Sequence, residues 1–137
     1  MEKISHDGKL IALIIYAEDS FPGVTFFTPP EFTQQLGFMK HPAGHRIAPH
    51  THNDVKREVV RTQEVLVIRK GRVKILLFTD DRKFLCDRIL EAGGVILLAS
   101  GGHGIDIIKD AEIIEVKQGP YVNEMVDKAR FEWPEKI

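Results

Sequence analysis

At 137 residues the chain fits one domain, large enough for a hydrophobic core without staples. Its 43% hydrophobic and 28% charged residues exclude a disordered chain, and a formal net charge of -1 excludes the basic field that recruits nucleic acid or an anionic membrane. One cysteine, Cys86, cannot form an internal disulfide, so a reducing, cytoplasmic setting is expected.

Taken in order, residues 4–16 contain one short apolar strand, with the run 10–16 too short to span a bilayer. After a turn over 18–22, the β-branched and aromatic stretch 24–27 predicts a second strand, stopped by Pro29-Pro30. Residues 32–39 allow another, weakened by Gly37. A turn at 41–44 then delivers the chain into the stretch around His50-Thr51-His52, expected to be extended. Residues 53–63 are polar and read as a loop, with at most a helical turn.

From Glu64 onward the pattern predicts a meander. Strand 64–69 meets a two-residue turn at Lys70-Gly71 and returns as strand 72–78. A solvated hairpin tip there accounts for the cluster Arg69, Lys70, Arg72 and Lys74. Turns at 79–82 and 91–94 flank an alternating strand over 83–90, and strand 95–99 follows. A glycine-rich corner at 101–104, strand 105–108, a turn at Lys109-Asp110 and strand 112–118 close the series. Residues 122–131 read as one short helix or an ordered tail. Seven or more short strands at even spacing predict an all-β sandwich or closed barrel in a single domain.

In an extended strand, residues two apart project from one face, so His50 and His52 would offer two imidazole nitrogens to one divalent cation. Glu64 opens a strand, with six residues between it and Gly71, and His103 follows a glycine pair that lets the backbone turn it inward. Gln63 and Glu58 stand as alternatives to Glu64. His45 has the opposite strand parity to His50, and His6 and His41 have no partner by spacing. Arg46 shares parity with His50.

These residues together resemble the cupin superfamily. Its first motif is Gly, five residues, His-x-His, three or four residues, Glu, six residues, Gly. Gly44, His50-Thr51-His52, Glu64 and Gly71 match it, except that the spacer before Glu64 is eleven residues. The second motif is Gly, five residues, Pro-x-Gly, two residues, His, three residues, Asn. Gly93, Ala99-Ser100-Gly101 and His103 are similar to it, with alanine for proline, a gap one shorter, and Ile107 in place of asparagine.

The resemblance covers residues 36–118, with N-terminal strands over 4–28 and a tail over 119–137. It implies a double-stranded β-helix, the cupin-type jelly-roll barrel, with one divalent transition metal ion held by His50, His52, Glu64 and His103. Three imidazoles and a carboxylate suit Fe, Mn, Ni, Co or Zn and leave a position open for water or a ligand.

The resemblance also implies a homodimer and a small-molecule ligand or substrate. Its first functional expectation is a small metal-dependent enzyme acting on a compact polar metabolite, an isomerase, epimerase or oxygenase, with carbohydrate metabolism the narrower link. The second is a non-catalytic metal- or ligand-binding cupin. A third is a metal-free barrel whose histidines are incidental. Since one fold hosts many chemistries, the site must decide.

Overall fold

The computed structural model describes residues 1–120, 123 and 127–133. Among them are eight strands: β1 (Glu2–His6), β2 (Lys9–Ile15), β3 (Gly23–Phe26), β4 (Gly37–Lys40), β5 (Glu64–Phe78), β6 (Phe84–Glu91), β7 (Val95–Leu98) and β8 (Gly102–Lys117). The protein is all-β, and none of its described helices is long and apolar enough to cross a membrane. The tail expected over 122–131 falls in part on residues outside those described.

The first strand pair is a hairpin turned at Asp7-Gly8, where φ is positive at both residues (48° and 75°). Asp-Gly is the pairing that such a turn favours, and it splits the single strand expected over 4–16 into β1 and β2.

Six strands form one antiparallel sheet in the order β1-β2-β7-β5-β6, with β8 also paired to β5. Two turns expected from the sequence are absent. Strand β5 continues unbroken through Lys70-Gly71, and β8 through Lys109-Asp110. The two strands pair along nearly their whole length, with register shifts between Ile68 and Val73. Gly71 has φ +84°, and a Cβ there would lie 2.0 Å from the Asp110 carbonyl oxygen. The glycine therefore marks a bulged crossing of two backbones rather than a hairpin tip.

At this crossing the two-stranded ribbon bends back on itself. His103 lies opposite Leu77 in the register, thirteen residues along β5 from Glu64. A straight strand would separate those positions by about 43 Å, at about 3.3 Å per residue. Yet the side chains of Glu64 and His103 are 3.1 Å apart. Curling gives the sheet two arms. In one, the first half of β5 lies between β7 and β8; in the other, its second half lies between β6 and β8.

The core lies between the arms. Ile4, Ile11, Ile14, Leu66, Ile68, Ile75, Leu77 and Ile96 belong to it, all at most 7% exposed. On the outer face of β2, β7 and the start of β5, a second cluster forms around Leu13, Val65 and Leu97. Phe27 covers it with the partly buried Phe21, Phe32, Leu36 and Phe38. Alternation explains both layers, because Leu66 and Ile68 face one way and Val65 and Val67 the other.

The end strands of the sheet, β1 and β6, are joined by side chains. Arg88 on β6 grips both carboxylate oxygens of Glu2 on β1, with its Nη2 at 2.6 Å and its Nε at 3.0 and 3.1 Å. The Tyr16 hydroxyl donates to the same carboxylate at 2.6 Å. Arg88 holds the Glu2 carboxyl below its ordinary range. Burial and the bond to Glu2 push the Tyr16 hydroxyl up to about 12.

Candidate functional site

Glu64 is the first residue of β5 and shares the inward parity of Leu66 and Ile68. It is 7% exposed, and a carboxylate so buried needs a charged or hydrogen-bonding partner. His103, the second residue of β8, supplies it: Nε2 donates to Glu64 Oε2 across 3.1 Å. That bond holds the Glu64 carboxyl below its ordinary range against the opposing effect of burial, and the charges of His103, Lys128 and Lys117 add to it. Lys128 Nζ stands 3.9 Å from the other carboxylate oxygen.

The pair opens into a cavity of about 830 Å³, walled also by Lys117, Phe131 and Trp133. Its size and mixed lining suit a small polar ligand.

The corner that aims His103 is fixed by Asp80. One carboxylate oxygen accepts from the Gly101 backbone N–H at 3.1 Å and from Arg61 at 2.9 Å, and the other accepts from Lys9. The Lys9 and Arg61 contacts hold the Asp80 carboxyl far below its ordinary range. Gly101 has φ +70°, and a Cβ there would meet the Phe78 carbonyl oxygen at 2.1 Å. Glycine is therefore obligatory at this step into β8.

The strand expected at His50-Thr51-His52 is not formed. Residues 41–63 contain no regular element, and both histidines are exposed. Their rings meet edge to face at 5.2 Å, and His50 Nδ1 lies 3.0 Å from the Ala48 carbonyl oxygen. Pro49 lacks a backbone donor, and the segment's apolar residues Ile47, Val55, Val59 and Val60 are all exposed, so among the described residues the segment is tied down only at its far end, by Arg61 and Gln63.

Of the four residues expected to share a metal, the structure thus brings Glu64 and His103 together and leaves His50 and His52 on this segment. Among the described residues no group of three or more His, Cys, Asp or Glu is placed to hold a metal ion.

The alternatives to Glu64 point elsewhere. Glu58 is exposed. Gln63 has the outward parity of Val65; its backbone N–H donates to Gln118 at 2.7 Å and its amide to the Ala99 carbonyl at 3.4 Å. His45 is exposed, as is His50 of the opposite parity, and it stacks flat on His41 at 4.1 Å.

No family model, curated protein or solved structure matches this chain. The chemistry therefore rests on geometry. A carboxylate held at Nε2 orients the imidazole, and the ring's second nitrogen, Nδ1, takes no part in that contact.

Sequence reasoning missed four contributors. Asp80 was read only as a turn residue. Lys128 comes from a tail with no periodic signal. Gly102 and Gly104 were read as part of a corner, but they are strand residues beneath aromatic rings.

Proposed function

We propose that the chain is a divalent-metal-binding cupin, a small metal-dependent enzyme acting on a compact polar metabolite. The observation that carries this reading is the meeting of Glu64 and His103. They lie 39 residues apart in the sequence, yet stand 3.1 Å from each other at an 830 Å³ cavity.

The double-stranded β-helix is part of the same proposal. A bent ribbon with one extra strand beside each half is compatible with it, and among the described residues β8 pairs with β5 alone. Residues 44–52, laid along the other edge of β8, would add the missing strand and carry His50 and His52 toward His103.

The donor set fits a transition metal in part as it stands. A buried carboxylate and an imidazole are in place, and the histidine pair completes the set only when its segment docks. An ion held by His50, His52, Glu64 and His103 would supply a Lewis acid that polarises a bound oxygen. Beside it, Lys117 would attract an anionic group of the metabolite. Carbohydrate chemistry, by isomerisation, epimerisation or oxygenation, is the narrower form of this proposal.

A non-catalytic metal- or ligand-binding module is the second reading. It is favoured by the engagement of Glu64 with both His103 and Lys128, which occupies the carboxylate that a general base would use. A homodimer in the cytoplasm belongs to the proposal as well. The exposed Val24, Phe26 and Met39 on the β3–β4 hairpin offer an apolar surface for a second copy.

Elemental analysis of tag-free protein, followed by Zn2+ or Co2+ calorimetry, tests the metal. One ion per chain is expected, lost in Glu64→Gln and His103→Ala and weakened in His52→Ala. Uptake that ignores all three substitutions, or no uptake at all, refutes the proposed centre. Substrate-dependent O2 consumption or turnover of a sugar panel then separates enzyme from binding module.

A further inference from the structure

The outer wall of the cavity is not part of the sheet but the segment 127–133. Its seat is written into β8. His103 and Ile105 turn toward the core side, so Gly102 and Gly104 between them leave bare backbone on the opposite face. A Cβ at Gly102 would lie 2.9 Å from a Phe131 ring carbon, and one at Gly104 would lie 3.2 Å from Trp133.

Neither glycine has a positive φ, so room for the rings, and not backbone freedom, is what their missing side chains provide. Phe131 and Trp133 carry the same two-residue spacing as the glycines. Phe131 also meets Phe78 edge-on at 5.0 Å, and the Arg82 guanidinium lies 5.7 Å from its ring centroid. At the other end of the segment, Lys128 Nζ stands 3.9 Å from Glu64 Oε1.

We infer that residues 127–133 form a strap, docked by Phe131 and Trp133 in the two-glycine seat, that holds the Lys128 ammonium against Glu64 and so opposes cation binding at the Glu64–His103 pair. The inference rests on the metal reading above. An ammonium and a divalent ion beside one carboxylate repel each other, so a docked strap weakens the metal. By linkage, bound metal loosens the strap to the same degree. The strap is then an autoinhibitory contact, released when the site fills.

Trp133 is the only tryptophan in the chain, so its time-resolved fluorescence anisotropy reports the strap alone. In the full-length, metal-free protein it decays with the tumbling of the whole domain. A dominant nanosecond component in that state overturns docking. Gly104→Val places a strand-favouring residue in the seat, and Phe131→Ala removes the ring over Gly102 without changing a sheet residue. Each is expected to introduce the fast component and to tighten Zn2+ binding roughly tenfold, as is Lys128→Met without undocking.

Zn2+ titration of the wild-type chain raises the fast component in proportion to occupancy. Zn2+ uptake without a Trp133 response, or with unchanged Kd in all three variants, overturns the strap and leaves the metal reading standing. Absence of Zn2+ uptake by every chain overturns both.

Discussion

Replacing Arg88 with methionine removes the guanidinium that joins the two ends of the curled sheet while keeping an apolar stem of similar length. The grip on Glu2 comprises three short N–O contacts, and both side chains are about one-third exposed. An exposed pair contributes about 0.2–1 kcal/mol, whereas breaking a fully buried pair costs about 3–5 kcal/mol. Partial exposure with near-bidentate geometry places this pair between them, at about 1.5 kcal/mol.

Urea unfolding followed by far-ultraviolet circular dichroism measures the loss. With a slope of about 2 kcal/mol/M, the midpoint should fall by about 0.7 M. A Glu2→Gln/Arg88→Met cycle isolates the pair, and a coupling of about 1 kcal/mol is expected.

The pH dependence has a definite sign. Arg88 lowers the folded-state pKa of Glu2 below its ordinary 4.5. The resulting stability is full above that value and is lost as pH falls through the folded pKa, so acid should erase most of the difference between wild type and variant. A loss under about 0.3 kcal/mol, with no coupling and no convergence in acid, would refute the claim that this contact closes the sheet.

Tyr16 should titrate near its raised value of about 12, visible as a late ultraviolet transition that Tyr16→Phe removes. Because the folded pKa is the higher one, its contribution holds below the ordinary 10 and fades as pH climbs through 12. Asp80→Asn weakens the ties to Lys9, Arg61 and the Gly101 corner. Since Asp80 is half exposed, the expected stability loss is about 1 kcal/mol or less, with a severalfold weaker Zn2+ Kd because His103 is less well aimed. An unchanged Kd would show that the corner positions itself. Gly71→Ala combines a left-handed residue with a Cβ 2.0 Å from the Asp110 oxygen and should cost at least about 2 kcal/mol by denaturation, whereas a hairpin-tip glycine would cost less.

Alternation made most of the sheet legible before any coordinates. The strands expected over 83–90 and 95–99 match β6 and β7 within a residue, and the turns at 79–82 and 91–94 are where they were expected. Glu64 was chosen by its offset from Gly71, and it lies on the core side with Leu66 and Ile68 even though the hairpin reasoning behind that choice was wrong. Lys-Gly reads alike as a turn or as a bulge, and only the partner strand, through Asp110, distinguishes them.

The strand expected at the histidine pair is absent for a related reason. The parity argument presumed a strand, but a strand exists only where a neighbour supplies hydrogen bonds, and no neighbour is written in the local sequence. The aromatic seat on β8 was hidden similarly, since Gly102 and Gly104 acquire their meaning from rings nearly thirty residues downstream.

The folded ribbon of β5 and β8 behaves mechanically like a pair of callipers with its pivot at Gly71. From pivot to tip is seven residues, about 23 Å at strand rise, so opening the hinge by about 5° would part the jaws by about 2 Å. Contact between Glu64 and His103 would not survive such a movement. Whatever stiffens or slackens the crossing, far from either tip, thereby sets how firmly the two side chains close on what lies between them.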